Sequence, residues 1–307
     1  MVDCGGLENR CAARHPGFES LSLRNKGCKS SICEIYTLFY TQECKLGVFF
    51  LFNIRLVMMT TVDMDKKQYE LEKEISNIAQ VHKLTDNGNC LPIYDGIGNF
   101  KEYLKFYPKI ACLLKEPYDE EVGERPSGGG WSISRDCFMN PDQKWSVITW
   151  QRIIYTVFGL REKLKYEEMD FIRDDHSMGE VLRSIAWINL SKMPARKQSS
   201  NEAYVDYFKQ YWKNVVKKQL EVYSPNVVIC GGVFDKCKNE LFPYVKPLCT
   251  NPGRLSMKKF TVYEYNGTLV FDVVHPGVRG KSHEGLGYYI NSINEIIIKY
   301  FHLDEKD

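Results

Sequence analysis

Three stretches of the chain end an apolar run in a side chain that can do chemistry. Ile110–Leu114 is followed by Lys115-Glu116-Pro117-Tyr118-Asp119. Ile185–Leu190 carries Asn189 at its end, just before Ser191 and Lys192. Thr268–Val274 delivers His275-Pro276-Gly277-Val278-Arg279. A carboxylate, an amide and an imidazole meeting in one cleft can orient water, read the edge of a polar ring and stabilise an anion. Such a meeting requires that the three runs share one edge of one sheet.

The runs themselves point that way. Five apolar residues without polar alternation, Ile110 to Leu114, suit a strand covered on both faces, as in a parallel sheet. Pro117 cannot donate to a ladder, so the strand stops before it. In open α/β sheets the carboxyl ends of strands are where ligands bind. Val227–Cys230, closed by Gly231-Gly232, reads as a further buried strand. Asn266-Gly267 between Phe260–Tyr265 and Thr268–Val274 predicts a hairpin. Helices are expected between the strands. Leu71, Ile75, Ile78 and Ala79 recur at helical spacing, and further helices are predicted near Asn99–Tyr107, over Val147–Phe158 and over Gly285–Tyr300. Ser199-Ser200-Asn201-Glu202 starts another that runs to about Tyr223, its aromatic stripe serving as core. Gly123–Arg135 is a loop holding Ser127-Gly128-Gly129-Gly130-Trp131-Ser132.

Composition narrows the function classes. With 307 residues, 44% of them hydrophobic and 26% charged, the chain can bury a full core. A formal net charge of +2 rules out a polybasic nucleic-acid binder and leaves room only for a local basic groove. The 11 cysteines contain no Cys-x2-Cys pair, so zinc and iron–sulfur spacings are missing. An odd number without a framework predicts reduced thiols in the cytoplasm. Leu46–Phe52 is about a third of the length needed to span a bilayer, so no membrane segment is expected. Residues 1–57 mix Cys, Gly, Ser and Arg with no sustained period. They are expected to be an extension, disordered or outside the native folded protein, with one domain over 58–307. Neither a Gly-x-Ser-x-Gly elbow nor a phosphate loop occurs, which argues against an α/β hydrolase or a nucleotide enzyme of those kinds.

The ordered set resembles the uracil-DNA glycosylase superfamily over about residues 105–300. In that family the first strand ends in a motif near Gly-Gln-Asp-Pro-Tyr-His or Gly-Glu-Ala-Pro-Gly; Lys115-Glu116-Pro117-Tyr118-Asp119 occupies its place. The second strand ends in a base-reading Asn, here Asn189. The last ends in His-Pro-Ser followed by a residue wedged into the duplex, here His275-Pro276-Gly277 and then Val278 or Arg279. Gly130-Trp131-Ser132 resembles the segment whose aromatic stacks on the flipped base. The chain departs from the pattern at Lys115, Asp119 and Gly277.

The resemblance implies a three-layer α/β/α sandwich with a central, mostly parallel four-stranded sheet. It implies a monofunctional glycosylase that acts as a monomer without cofactor or metal cluster. The partner is DNA, and the product is an abasic site. Glu116 would orient water at the sugar and His275 would donate to the departing base. Tyr118, Asp119, Trp131 and Asn189 would hold that base, with Asp119 able to protonate a cytosine-like one. Lys192, Arg196, Lys197, Arg279 and Lys281 would neutralise phosphates, and Val278 or Arg279 would be the wedge. The substrate expected is uracil or a modified pyrimidine. A defence enzyme against hypermodified cytosine in viral DNA and a non-catalytic nucleic-acid binder are the alternatives.

Overall fold

A computed structural model describes residues 60–85, 90–119, 121–122, 125–126, 128–195, 203–251, 260–278 and 283–304. The extension expected over 1–57 lies outside these residues. The first helix, α1 (Thr61–Val81), starts at a reciprocal cap. Thr60 Oγ1 accepts from the Asp63 backbone N–H at 3.1 Å, and the Asp63 carboxylate accepts from the Thr60 N–H at 3.2 Å. A side-chain cap of this kind contributes about 1 kcal/mol.

The remaining elements alternate. In chain order they are β1 (Gly96–Ile97), α2 (Phe100–Lys105), β2 (Ile110–Leu114), β3 (Glu121–Val122), β4 (Arg125–Pro126), α3 (Ile148–Glu162), β5 (Ala186–Asn189) and α4 (Ala203–Tyr207). A π-helical segment, Phe208–Trp212, then leads into α5 (Lys213–Tyr223). They continue with β6 (Val227–Gly231), α6 (Phe234–Leu241), β7 (Lys246–Asn251), β8 (Phe260–Tyr265), β9 (Thr268–Val273) and α7 (His283–Tyr300). The protein is therefore α/β. Its main sheet is mixed and has seven strands, in the order β1-β5-β2-β6-β9-β8-β7.

That count corrects the expected four. The four strands read as the sheet's centre, β5, β2, β6 and β9, do pair in parallel. Three more flank them: β1 lies antiparallel on β5, and β8 and β7 extend the other side in antiparallel fashion. The extra edges escaped notice because β1 is two residues long and β7 contains Pro247 and an irregular register, neither of which leaves a clear alternation. The predicted hairpin is present. Tyr265 pairs with Thr268, and both turn residues take positive φ, Asn266 at 51° and Gly267 at 81°. This is the turn geometry whose twist suits a two-residue hairpin.

Successive strand residues face opposite sides, and each side has its own core. Ile110, Cys112 and Leu114 join Trp187, Val227, Ile229, Leu269, Phe271 and Val273 in one cluster. It includes Ile153, Ile154 and Val157 of α3 and Ile290, Ile293 and Ile297 of α7. Ala111, Leu113, Ala186, Ile188, Val228, Cys230 and Val270 join the other, with Met64, Leu71 and Ile75 of α1, Val215 and Val216 of α5, and Phe234 of α6. Helices thus cover both faces.

Candidate functional site at the carboxyl edge of the parallel strands

Strand register sets the geometry. Asn189 pairs with Leu114, Gly231 pairs with Val273, and Leu113 pairs with Cys230. Asn189, Leu114, Gly231 and Val273 therefore stand on one rung at the carboxyl edge. Glu116 and His275 each lie two residues beyond that rung. Strands β2 and β9 are separated by two strand spacings, about 10 Å. Leu114, Trp187 and Val273 all face the α3 side, and alternation within β5 puts Asn189 on that side too; Glu116 and His275 lie past the last paired residues, at the same edge of the sheet. Gly231 lets the strand ends close up. A Cβ there would lie 2.6 Å from Leu114 Cδ2 and 2.7 Å from Pro276 Cδ.

The segment carrying Glu116 is held along its length. The Leu190 N–H donates to Leu114 O at 2.8 Å, Ser191 N–H to Lys115 O at 3.0 Å, and Ala195 N–H to Pro117 O at 2.7 Å. Glu116 is half-buried, and burial raises its pKa to about 7 against a lowering influence of Lys115. A carboxylate tuned to neutrality suits acid–base work.

His275 is held in one protonation form. Its Nδ1 accepts a hydrogen bond from the Gly277 backbone N–H at 3.0 Å, which places the ring proton on Nε2. Burial, and then the neighbouring cations Lys115 and Arg152, lower its pKa to about 4. The ring is thus a neutral Nε2–H donor at physiological pH. The turn after it is closed by Val278 N–H donating to His275 O at 3.0 Å.

Asn189 is 2% exposed. Its backbone N–H donates to Asp95 Oδ2 at 2.6 Å, while its side-chain Nδ2 is buried with no hydrogen-bond partner. Asp95 is the hub of an internal network. Lys192 Nζ donates to both Asp95 oxygens, at 2.9 and 2.7 Å, and to Gln219 Oε1 at 2.7 Å; Gln219 Nε2 donates back to Asp95 Oδ1 at 2.7 Å. This corrects the reading of Lys192 as a phosphate contact. Its side chain is 0% exposed, because the turn after β5 folds it inward onto Asp95 and Gln219.

Asp119 has partners of its own in the fold. Its Oδ2 accepts from Gly129 N–H at 2.6 Å and from Trp131 Nε1–H at 2.9 Å. It therefore anchors the glycine loop to the Glu116 segment. Gly129 has φ 80°, and a Cβ on it would collide with the Leu91 carbonyl, so the close approach requires glycine. Trp131 is half-buried and packs against the α3-side cluster. Tyr118 bridges to Ala195 and remains 38% exposed, and Val278 is 37% exposed at the end of the His275 turn. Arg196, Lys197, Arg279 and Lys281 lie outside the described residues.

Two residues of the site went unread in the sequence. Asp95 sits alone between Tyr94 and Gly96. Arg152 is the one charged side chain between Val147 and Phe158, and a charge inside so apolar a helix was a signal. Two cavities among the described residues lie away from the carboxyl ends of the parallel strands. One of about 160 Å³ is lined by Phe106, Leu160 and Arg161, and one of about 520 Å³ by Leu220, Phe242 and Tyr265. Neither joins an acid to an imidazole. Among the described residues no cluster of three or more His, Cys, Asp or Glu is placed to hold a metal, and no helix is long and apolar enough to cross a membrane. No protein-family model matches the chain, and comparison with curated proteins finds no match.

Proposed function

We propose that this chain is a monofunctional DNA glycosylase of the uracil-DNA glycosylase kind, excising uracil or a modified pyrimidine from DNA. In this reading the fold is a three-layer α/β/α sandwich whose four central parallel strands carry the chemistry. The observation that supports it best is the common edge of the sheet at which Glu116, Asn189 and His275 stand, set by the strand register.

The target nucleotide is rotated out of the duplex. Asn189 reads the base edge, with Trp131 and Tyr118 flanking the ring. Ionised Glu116 orients a water molecule at the sugar carbon and offsets the positive charge that grows there. The bond from that carbon to the base nitrogen breaks, and its electron pair leaves with the base. His275 Nε2–H donates to the base oxygen on which negative charge develops. Preorganised donors in a dry pocket lower such a barrier by several kcal/mol, on the order of 3. Water adds to the sugar and its proton passes to Glu116. The protein works in this reading as a monomer in the cytoplasm, on DNA, without a cofactor.

The test is release of free base from oligonucleotides bearing uracil, hydroxymethyluracil or glucosylated hydroxymethylcytosine, with alkali cutting each abasic site. Strands that stay intact on every substrate would sink the proposal. Binding without cleavage would leave a non-catalytic binder. Cleavage confined to the glucosylated substrate would favour a role against modified viral DNA.

A further inference from the structure

The strand-end site is rich in donors that nothing satisfies. Asn189 Nδ2, Trp187 Nε1 and Arg152 Nη1 are all buried without a hydrogen-bond partner. All three lie on the α3 side of the sheet: Trp187 is in that cluster, Asn189 follows two residues later on the same strand, and Arg152 belongs to α3. The packing brings them toward His275. A Cβ on Gly277 would lie 2.8 Å from Thr149 Oγ1 in the first turn of α3, and Arg152 is one turn further along, on the same helix stripe. Phe138 bridges the two elements, its ring centroid 5.3 Å from Trp187 and 5.8 Å from Trp150.

Arg152 is the member that decides the ligand's charge. It is only 7% exposed, and no carboxylate pairs with it among the described residues. Its electrostatic neighbours are Tyr289, Tyr166 and His275. A buried guanidinium without an anion is costly to keep, and its fork matches a planar pair of oxygens. We propose that Arg152 is an anion-reading residue of this recess, and that the bound pyrimidine carries negative charge beside His275. The charge is either the base's own, gained as the glycosidic bond opens, or that of a carboxylate on the ring. This inference rests on the glycosylase reading for the ligand's identity, but the anion site itself does not.

Two measurements on the full-length protein separate the sources. The first titrates free uracil and free 5-carboxyuracil by calorimetry into wild type, Arg152→Gln and Arg152→Lys. A permanent carboxylate predicts a preference of about tenfold or more for the carboxylated base, lost in Arg152→Gln and kept in Arg152→Lys. The second follows single-turnover excision of uracil from DNA. A charge developed in the reaction predicts no such preference, but a rate loss of about a hundredfold in Arg152→Gln with KM unchanged and partial rescue by Arg152→Lys. A folded Arg152→Gln protein that loses neither the preference nor the rate overturns the proposal. If that variant does not fold, a wild type without preference for the carboxylated base, whose Arg152→Lys variant excises uracil at the full wild-type rate, does the same. Charge-dependent binding that follows Arg152, with no base released from any substrate, keeps the anion site and removes the glycosylase reading.

Discussion

At the scale of single residues, burial moves two groups at the strand edge in the directions that disfavour their charged forms. Glu116 is raised to about 7 by burial, and His275 is lowered to about 4 by burial and by Lys115 and Arg152. The proposed glycosylase reaction needs the carboxylate ionised and the imidazole neutral. Activity is therefore expected to rise with pH through about 7 and level off above it, as kcat/KM measured across pH will show. The stability signs differ. The folded protein holds the Glu116 proton more tightly than the unfolded chain, so this group makes stability fall as pH rises from about 4.5 to about 7. It holds the His275 proton less tightly, so that group makes stability rise with pH between about 4 and 6.5. Glu116→Gln should thus abolish excision without lowering the melting temperature above neutrality. His275→Ala should also abolish excision while DNA affinity persists. Full activity in both variants would refute the roles given to them. Lys192 carries a different expectation. Lys192→Met strands the Asp95 carboxylate in the core and should cost about 3–5 kcal/mol in urea unfolding. Adding Asp95→Leu should restore only part, because Asn189 N–H and Gln219 then lose their acceptor.

At the scale of elements, what positions the site is the rung at which β5, β2, β6 and β9 end together. Gly231 is the tightest point of that rung. Gly231→Ala would drive a methyl against Leu114 and Pro276; overpacking of this kind costs about 1–3 kcal/mol. It should lower kcat more than it raises KM, since it moves Glu116 and His275 apart. Unchanged kinetics would mean the strand ends have slack. These elements were also the legible part of the sequence. Glu116, Asn189 and His275 each stand at or just past the end of a mainly apolar run, and a short run with a polar stop is a local signal. The network around Asp95 was illegible for the opposite reason. Lys192 and Asp95 are 97 residues apart, and a lysine after a strand usually points into water. The bonds of Asp119 were hidden similarly, because its partners Gly129 and Trp131 come from a loop that no periodicity describes. Three glycines at positive φ shape that loop, and its bonds to Asp119, Leu91 and Pro92 hold it in place.

At the scale of the molecule, the described residues hold two cores, one on each face of a seven-stranded sheet. A chain begun at Met59 retains every residue of both, and is expected to match the full chain in melting temperature and in base release. Loss of either would show that residues before it take part. The basic side chains named from the sequence can be tested together. Changing Arg196, Lys197, Arg279 and Lys281 to Ala should flatten the dependence of log affinity on log salt by up to about 3–4 units if all four contact phosphates. The whole also carries a consequence of strand alternation. Asn189 projects toward the α3 side and the turn after His275 meets Thr149 of α3, while Ala111, Leu113, Ile188 and Val228 on the reverse side meet α1, α5 and α6. In the glycosylase reading, the reverse-side core and the chemistry therefore have separate addresses. A designer could redraw the ligand's outline from the α3 side alone, leaving the far layer as an untouched foundation.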